Sequence, residues 1–178
     1  MKQPRMSLSD LMTPDYIFNA FDDITPAFLS SLDIRALLID IDNTLAPYEQ
    51  PEPDDRIRGW FASLEANGIK AALISNNHTA RVERFNRSLG LPAYPNSAKP
   101  RRRTLKKAMA EMGVSPEHTA GLGDQLFTDT LAVHRMGMLS LIVPPIKDKK
   151  SLFFKAKRRL EKPFIKRYWA LRGGKESS

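Results

Sequence analysis

Residues 36–45, Ala36-Leu37-Leu38-Ile39-Asp40-Ile41-Asp42-Asn43-Thr44-Leu45, decide the fold of this chain. The apolar run Ala36–Ile41 has the length and composition of a strand buried on both faces, the kind found inside a parallel sheet. Two aspartates one residue apart close it, and a threonine follows. In an open α/β sheet, ligands gather just beyond the carboxyl ends of the strands. Two carboxylates buried there cost free energy unless a cation or bound ligand offsets their charge. The residues therefore point to a metal site in which one carboxylate also does chemistry. Taken alone, Asp42-Asn43-Thr44 also reads as a turn with a helix cap.

Partners for such a site follow in order. A second apolar run, Ile69–Ile74, ends in Ser75-Asn76-Asn77. Lys99-Pro100 comes after a short extended stretch at Ala93-Tyr94, and Gly121-Leu122-Gly123-Asp124 precedes Asp129. Each piece has a plainer reading by itself: Ser75 and Asp129 as helix caps, Lys99 as a solvated surface lysine. His78, His118 and His134 lack metal-ligand spacing and read as structural.

Glycine, proline and capping residues set out the elements around these motifs. One or two short helices are expected in residues 7–32, with Ser9 or Asp10 and Thr25-Pro26 as their starts. Strands are predicted at 35–41, 69–74, 92–95, 118–122 and 138–143. Helices are predicted at 54–67, 78–89, 101–112 and 126–136, stopped at Asn67-Gly68, Gly90, Gly113 and Gly137. Alternation of strand and helix implies a parallel sheet with right-handed crossovers.

The four motifs together resemble the haloacid dehalogenase-like (HAD) phosphohydrolase superfamily, whose pattern is DxDx[TV], a strand-end Ser or Thr, a Lys, and GD with a further Asp. The resemblance implies an α/β Rossmannoid three-layer fold with a five-stranded parallel sheet in the order 3-2-1-4-5. It implies Asp40 as nucleophile, Asp42 as general acid and base, and Thr44 orienting that loop. It implies Mg²⁺ on the Asp40 and Asp124 carboxylates and the Asp42 carbonyl, with Asp129 holding metal-bound water. Ser75 and the Asn76 N–H would bind phosphate oxygens, and Lys99 would stabilise the transferring group. About 30 residues separate Thr44 from Ser75, and about two dozen separate Ser75 from Lys99. Neither gap holds one of the superfamily's cap domains, so no cap is expected and the site should stay open to large or surface-presented substrates.

Closer wording is similar to capless subfamily IIIA and its phosphatidylglycerophosphate phosphatase family. The matching segments are 38–45, 74–77, Ala98-Lys99-Pro100, 123–129, Arg135-Met136-Gly137-Met138 and Val143-Pro144-Pro145-Ile146. This implies a phospholipid substrate. Arg101-Arg102-Arg103, directly after Lys99-Pro100, become candidates for binding that substrate's second phosphate.

The chain has 178 residues, 42% hydrophobic, and no cysteine, which leaves no disulfide framework and no thiolate metal site. Its length suits one α/β core. No apolar run reaches the roughly 18 residues that span a bilayer, and residues 1–5 lead into no signal-peptide core. The expectation is a cytoplasmic protein. Its net charge of +8 is unevenly placed: residues 1–146 hold 16 Lys/Arg against 17 Asp/Glu, residues 147–178 hold 12 against 3. The expected organisation is a disordered start at 1–6, a catalytic domain at 7–146, and a basic amphipathic tail at 147–178 with a disordered end at 173–178.

Within the tail, Leu152, Phe153, Ala156 and Leu160 share one helical arc. After Pro163, a good first helical residue, Phe164, Ile165, Tyr168, Trp169 and Leu171 share a face. Lysines and arginines lie outside both. Such a segment suits an anionic membrane surface, on the inner face of the membrane. A helix packed on the sheet with a solvated basic face is the plainer reading. RNA or the ribosome is a second anionic partner. Two other functions stay open: a capless phosphatase for a nucleotide, nucleic-acid end or phosphoprotein, and an RNA- or ribosome-associated binding protein with little turnover.

Overall fold

The computed structural model describes residues 7–147 and 151–173. The expected disordered start at 1–6, and residues 174–178 of the expected disordered end, lie outside the described residues. In chain order the elements are α1 (Leu8–Met12), β1 (Tyr16–Ile17), α2 (Pro26–Ser31), β2 (Ala36–Ile39), α3 (Asp55–Ala66), β3 (Lys70–Ile74), α4 (Thr79–Asn86), β4 (Ala93–Tyr94), α5 (Arg103–Met112), β5 (Thr119–Gly123), α6 (Leu131–His134), β6 (Leu139–Ile142) and α7 (Leu152–Leu171).

One parallel sheet runs β1-β6-β5-β2-β3-β4. Among the described residues it has six strands, which corrects the expected five. The order differs from the expected 3-2-1-4-5 by a strand added beside β6. That strand, Tyr16–Ile17, is two residues long, too short for alternation to reveal it. It exists because Asp15 N–H and Phe18 N–H donate to the Ser140 and Ile142 carbonyls at 3.1 and 2.9 Å.

All four β2 residues are buried, because β3 and β5 flank the strand and helices cover both faces. Its side chains alternate. Leu37 and Ile39 join Trp60, Phe61, Val82 and Phe85 in one core, while Ala36 and Leu38 join Leu105, Met109 and Val133 in the other. Local signals set the helix ends. The Asp54 carboxylate accepts from Ile57 N–H at 2.9 Å to start α3, and Gly113, at φ 62°, ends α5.

Two helical expectations are corrected. The helix expected at 126–136 begins as a wide π-turn over Leu126–Thr130 and becomes regular only at α6. The wide turn lets Asp129 fold back, so that its Oδ2 accepts from Gln125 N–H at 3.1 Å. In the tail, Pro163 lies inside one continuous α7 rather than starting a second helix. A proline there costs about 3 kcal/mol through its missing N–H and its ring, and contacts on both sides of it hold the helix. Upstream, Arg158 and Glu161 grip the loop after β5. Downstream, buried Tyr168 accepts from Ile17 N–H at 3.2 Å through its hydroxyl, and Arg167 pairs with Asp10. The apolar face expected to meet a membrane after Pro163 therefore turns in part to the body, with Phe164 edge-on to Phe127 at 6.2 Å.

Candidate active site

Asp40 follows β2 directly, and its N–H donates to Leu122 O of β5 at 2.9 Å. That bond sets the carboxylate at the carboxyl edge of the sheet, beside the end of β5. Asp124 follows β5, and the π-turn carries Asp129 to the same spot. Carboxylate oxygens of Asp40, Asp124 and Asp129 lie within 4.8 Å of one another, all three side chains buried. Gly123 makes this possible. A Cβ at that position would sit 2.3 Å from Asp129 Cγ, and one at Gly121 would sit 2.2 Å from Val133 Cγ2. Gly123 is thus a packing requirement of the acid cluster, and Gly121 one of the contact with Val133.

Lys99 enters from the loop after β4. Its buried ammonium donates to Asp40 Oδ1 at 2.8 Å and Ile74 O at 2.9 Å, and pairs with Asp129 Oδ1 at 2.7 Å. Asn76 fixes it in place: Oδ1 accepts from Lys99 N–H and Ser97 Oγ, both at 2.7 Å, and Nδ2 donates to Lys99 O at 3.2 Å. Ser75, buried at the end of β3, accepts from Asn77 N–H at 3.0 Å. Thr44 Oγ1 donates to Asp40 Oδ2 at 3.3 Å.

Burial, with repulsion from Asp129 and Asp124, pushes the Asp40 carboxyl up to about 7 although Lys99 pulls it down. Burial and Asp129 push Asp124 up to about 6 against the pull of Arg158. Burial works to lower Lys99, but Asp129 and Asp40 outweigh it and hold the ammonium above its ordinary range. Lys99 and Arg158 together still leave Asp40 and Asp124 raised, so the donor set has room for a further cation. Buried hard oxygens are the donors Mg²⁺ prefers.

Asp42 stands apart from the acid cluster. Arg81 Nε and Nη2 donate to its Oδ1 at 3.2 and 3.1 Å, and Asn77 Nδ2 donates to Oδ2 at 3.0 Å. Of the expected metal-site residues, the structure brings the carboxylates of Asp40, Asp124 and Asp129 together and leaves that of Asp42 aside. The cavity over these groups, about 300 Å³, is lined by Asp40, Asp42, Ser75, Asn76, Lys99 and Asp129, with Tyr48 and Phe154 among the other walls. Arg101, Arg102 and Arg103 are exposed and do not line it; Arg102 donates instead to Arg135 O at 3.0 Å.

Three residues were missed by the sequence reading. Arg81 sits on the polar first turn of α4 with no motif around it. Arg158 and Glu161 lie in a basic run whose charge masks an individual contact. The histidines take structural places: His78 caps α4 by accepting from Arg81 N–H, His118 Nδ1 bonds Asp33 O at 3.0 Å, and His134 bridges Leu11 O and Asp15 Oδ2 at 3.0 and 2.8 Å.

The family model for haloacid dehalogenase-like hydrolases matches residues 46–137. The chain is 30% identical over 158 residues to a Bacillus subtilis protein named "Probable phosphatase YqeG", covering 89% of this chain and 92% of that one. Its fold is similar to two solved structures. One is the cobalt-bound deoxy-D-mannose-octulosonate 8-phosphate phosphatase of Haemophilus influenzae (TM-score 0.51, 14% identity, 76% of this chain and 90% of that one). The other is an uncharacterized Listeria monocytogenes protein (TM-score 0.52, 12% identity, 66% and 85%).

Proposed function

Because this chain belongs to the haloacid dehalogenase-like hydrolases, we propose that it is a Mg²⁺-dependent phosphatase that works through an aspartyl-phosphate on Asp40. The observation that carries this is the Lys99 ammonium held at once by Asp40 and Asp129, with Asp124 completing the acid cluster, at the carboxyl edge of the central strands. A pure binding surface needs no such buried set. The relative's phosphatase name agrees with the reading.

In this mechanism an Asp40 carboxylate oxygen attacks phosphorus and the ester P–O bond breaks. Asp42 gives a proton to the leaving oxygen, then takes one from the water that cleaves the acyl phosphate. To do so, Asp42 exchanges the Asn77 bond on its Oδ2 for one to the leaving oxygen, while Arg81 keeps hold of Oδ1. Ser75 Oγ and the Asn76 N–H receive phosphate oxygens, while Lys99 offsets charge on the group in transfer. Asp40 and Asp124, with the Asp42 carbonyl and water held by Asp129, would hold Mg²⁺. When bound, the ion offsets repulsion between Asp40 and phosphate, an effect of several kcal/mol.

The finer reading is membership of subfamily IIIA, acting on phosphatidylglycerophosphate at a membrane surface. Aromatic walls Tyr48 and Phe154 beside a polar floor suit a phosphate joined to an apolar body. On α7, Leu152 and Leu160 stay 83% and 63% exposed among exposed Lys155, Arg159, Lys162 and Lys166. That face fits an anionic lipid surface. Among the described residues, no helix is long and apolar enough to cross a membrane.

The test is phosphate release, with Mg²⁺, from phosphatidylglycerophosphate, nucleotides and phosphopeptides. Preference for the lipid is expected, and Asp40→Asn should cut turnover by at least ~10³. Preference for a nucleotide or phosphopeptide would overturn the lipid reading alone. Near-normal turnover by the variant would overturn the covalent mechanism.

A further inference from the structure

The helix α7 meets the site at several side chains: Phe154 walls the cavity, Lys157 bonds Gln125, and Arg158 holds an acid of the cluster. Arg158 Nη2 lies 2.7 Å from Asp124 Oδ2, and its Nη1 donates to the main-chain oxygen of the same residue at 2.6 Å. The guanidinium therefore grips Asp124 at two points, carboxylate and backbone, which fixes the side-chain torsion between them. Behind it stands Glu161. Its Oε2 accepts from Arg158 Nη1 at 2.9 Å, and its Oε1 accepts from Leu126 N–H at 2.9 Å. Glu161 is 3% exposed, and Arg158 and Leu126 take one of its oxygens each. Asp124, Leu126, Arg158 and Glu161 form a closed ring of bonds between the loop after β5 and α7.

We propose that α7 is part of the active site, with Arg158, braced by Glu161, acting as a positioning residue that orients the Asp124 carboxylate toward a divalent cation. This rests on the reading of Asp40, Asp124 and Asp129 as the metal site. Two observations favour positioning over competition for the acid. First, Glu161, paired with Arg158 at 2.9 Å, offsets part of the arginine's charge. The pair therefore neutralises the cluster less than a lone arginine would, and a cation meets less repulsion. Second, Arg158 takes Oδ2 and leaves Oδ1, which receives only a long 3.3 Å bond from Gln125 Nε2. One oxygen is anchored firmly, and its twin holds a weaker bond that a cation would replace. Partners that orient a ligating carboxylate in this way commonly change metal affinity by about 10–100-fold when removed.

The experiment is calorimetric titration of Mg²⁺, and of Mn²⁺ as a second probe, into the full chain. Arg158→Gln should weaken binding by roughly tenfold or more. Arg158→Lys should recover part of the loss, and Glu161→Gln should show a smaller loss. Arg167→Gln removes the α7 contact to Asp10, outside the site, and should leave affinity unchanged while lowering thermal stability. In kinetics, Arg158→Gln should raise the Mg²⁺ concentration giving half-maximal rate, with kcat largely restored at saturation. Unchanged or tighter binding in folded Arg158→Gln overturns the proposal. Should that variant fail to fold, unchanged affinity in both Arg158→Lys and Glu161→Gln overturns it equally. A wild-type chain that binds neither ion removes the metal reading and this proposal together. Binding by wild type with equal binding by the variants removes this proposal alone.

Discussion

Asp42 and Arg81 form an ion pair whose side chains are only 16% and 7% exposed. Removing one partner leaves the other poorly paired in a dry place. Arg81→Met should cost about 1–3 kcal/mol of stability by that reasoning. It should also lower kcat roughly tenfold, a fraction of the ~10²–10⁴ that acid–base groups supply, because Asp42 loses its anchor. Urea denaturation and steady-state kinetics measure the two effects, and an unchanged kcat would remove Asp42 positioning from the argument. Gly123→Ala tests the other packing constraint. Its methyl would meet Asp129 Cγ at 2.3 Å, which displaces Asp129 and, through it, Lys99. Overpacking of this kind costs about 1–3 kcal/mol, and loss of Mg²⁺ binding should accompany it. Motif residues were legible because four short motifs in the right order resemble a known family pattern. Arg81 was not, since an arginine on the polar turn of a helix looks the same whether it faces water or bonds Asp42.

Elements with long periodic stretches were read well, and short or composite ones were not. The strand β2 and the helix α3 carry caps and unbroken apolar patterns, so their places follow from the chain. The strand β1 depends on bonds to β6, about 125 positions away in the chain, and to α7, and no local pattern encodes it. The helix α7 shows the limit most clearly. Its aromatic face reads as membrane-directed by composition, yet Tyr168 is 6% exposed against the body. Tyr168→Ala should therefore cost about 3 kcal/mol, the scale for deleting a buried aromatic, measured by chemical denaturation. A change below 1 kcal/mol would mean that the helix docks only loosely. Truncation after Ile146, which by composition alone should spare the catalytic body, is now expected to reduce both stability and turnover. The outward basic face makes a separate prediction. Replacing Lys155, Arg159, Lys162 and Lys166 with glutamine should weaken co-sedimentation with anionic vesicles and flatten its salt dependence.

At the scale of the whole molecule, the acid cluster ties stability to pH. Asp40 and Asp124 start from an ordinary 3.8 and are raised to about 7 and about 6 in the folded chain. Their contribution to folding is fully present below about 3.8 and is lost as pH rises through 6 to 7. Without metal, these two groups therefore weaken the fold across that window. A divalent cation needs them deprotonated, so the stabilisation it gives grows with pH over the same range. Thermal melts with and without Mg²⁺ at pH 5 and pH 8 should show the larger increment in Tm at pH 8. Equal increments would contradict the coupling.

The same helix that grips Asp124 also closes the flank of the sheet. On the outer side of β1, the Ile17 N–H goes to the Tyr168 hydroxyl, and the Asp15 carbonyl receives the Arg172 guanidinium. An uncovered strand edge is a template on which another chain can add its own strand. Loss of α7 would bare that edge, and self-association in a truncated chain should begin at β1, where light scattering and protection of the Tyr16–Ile17 amides from hydrogen exchange would rise together.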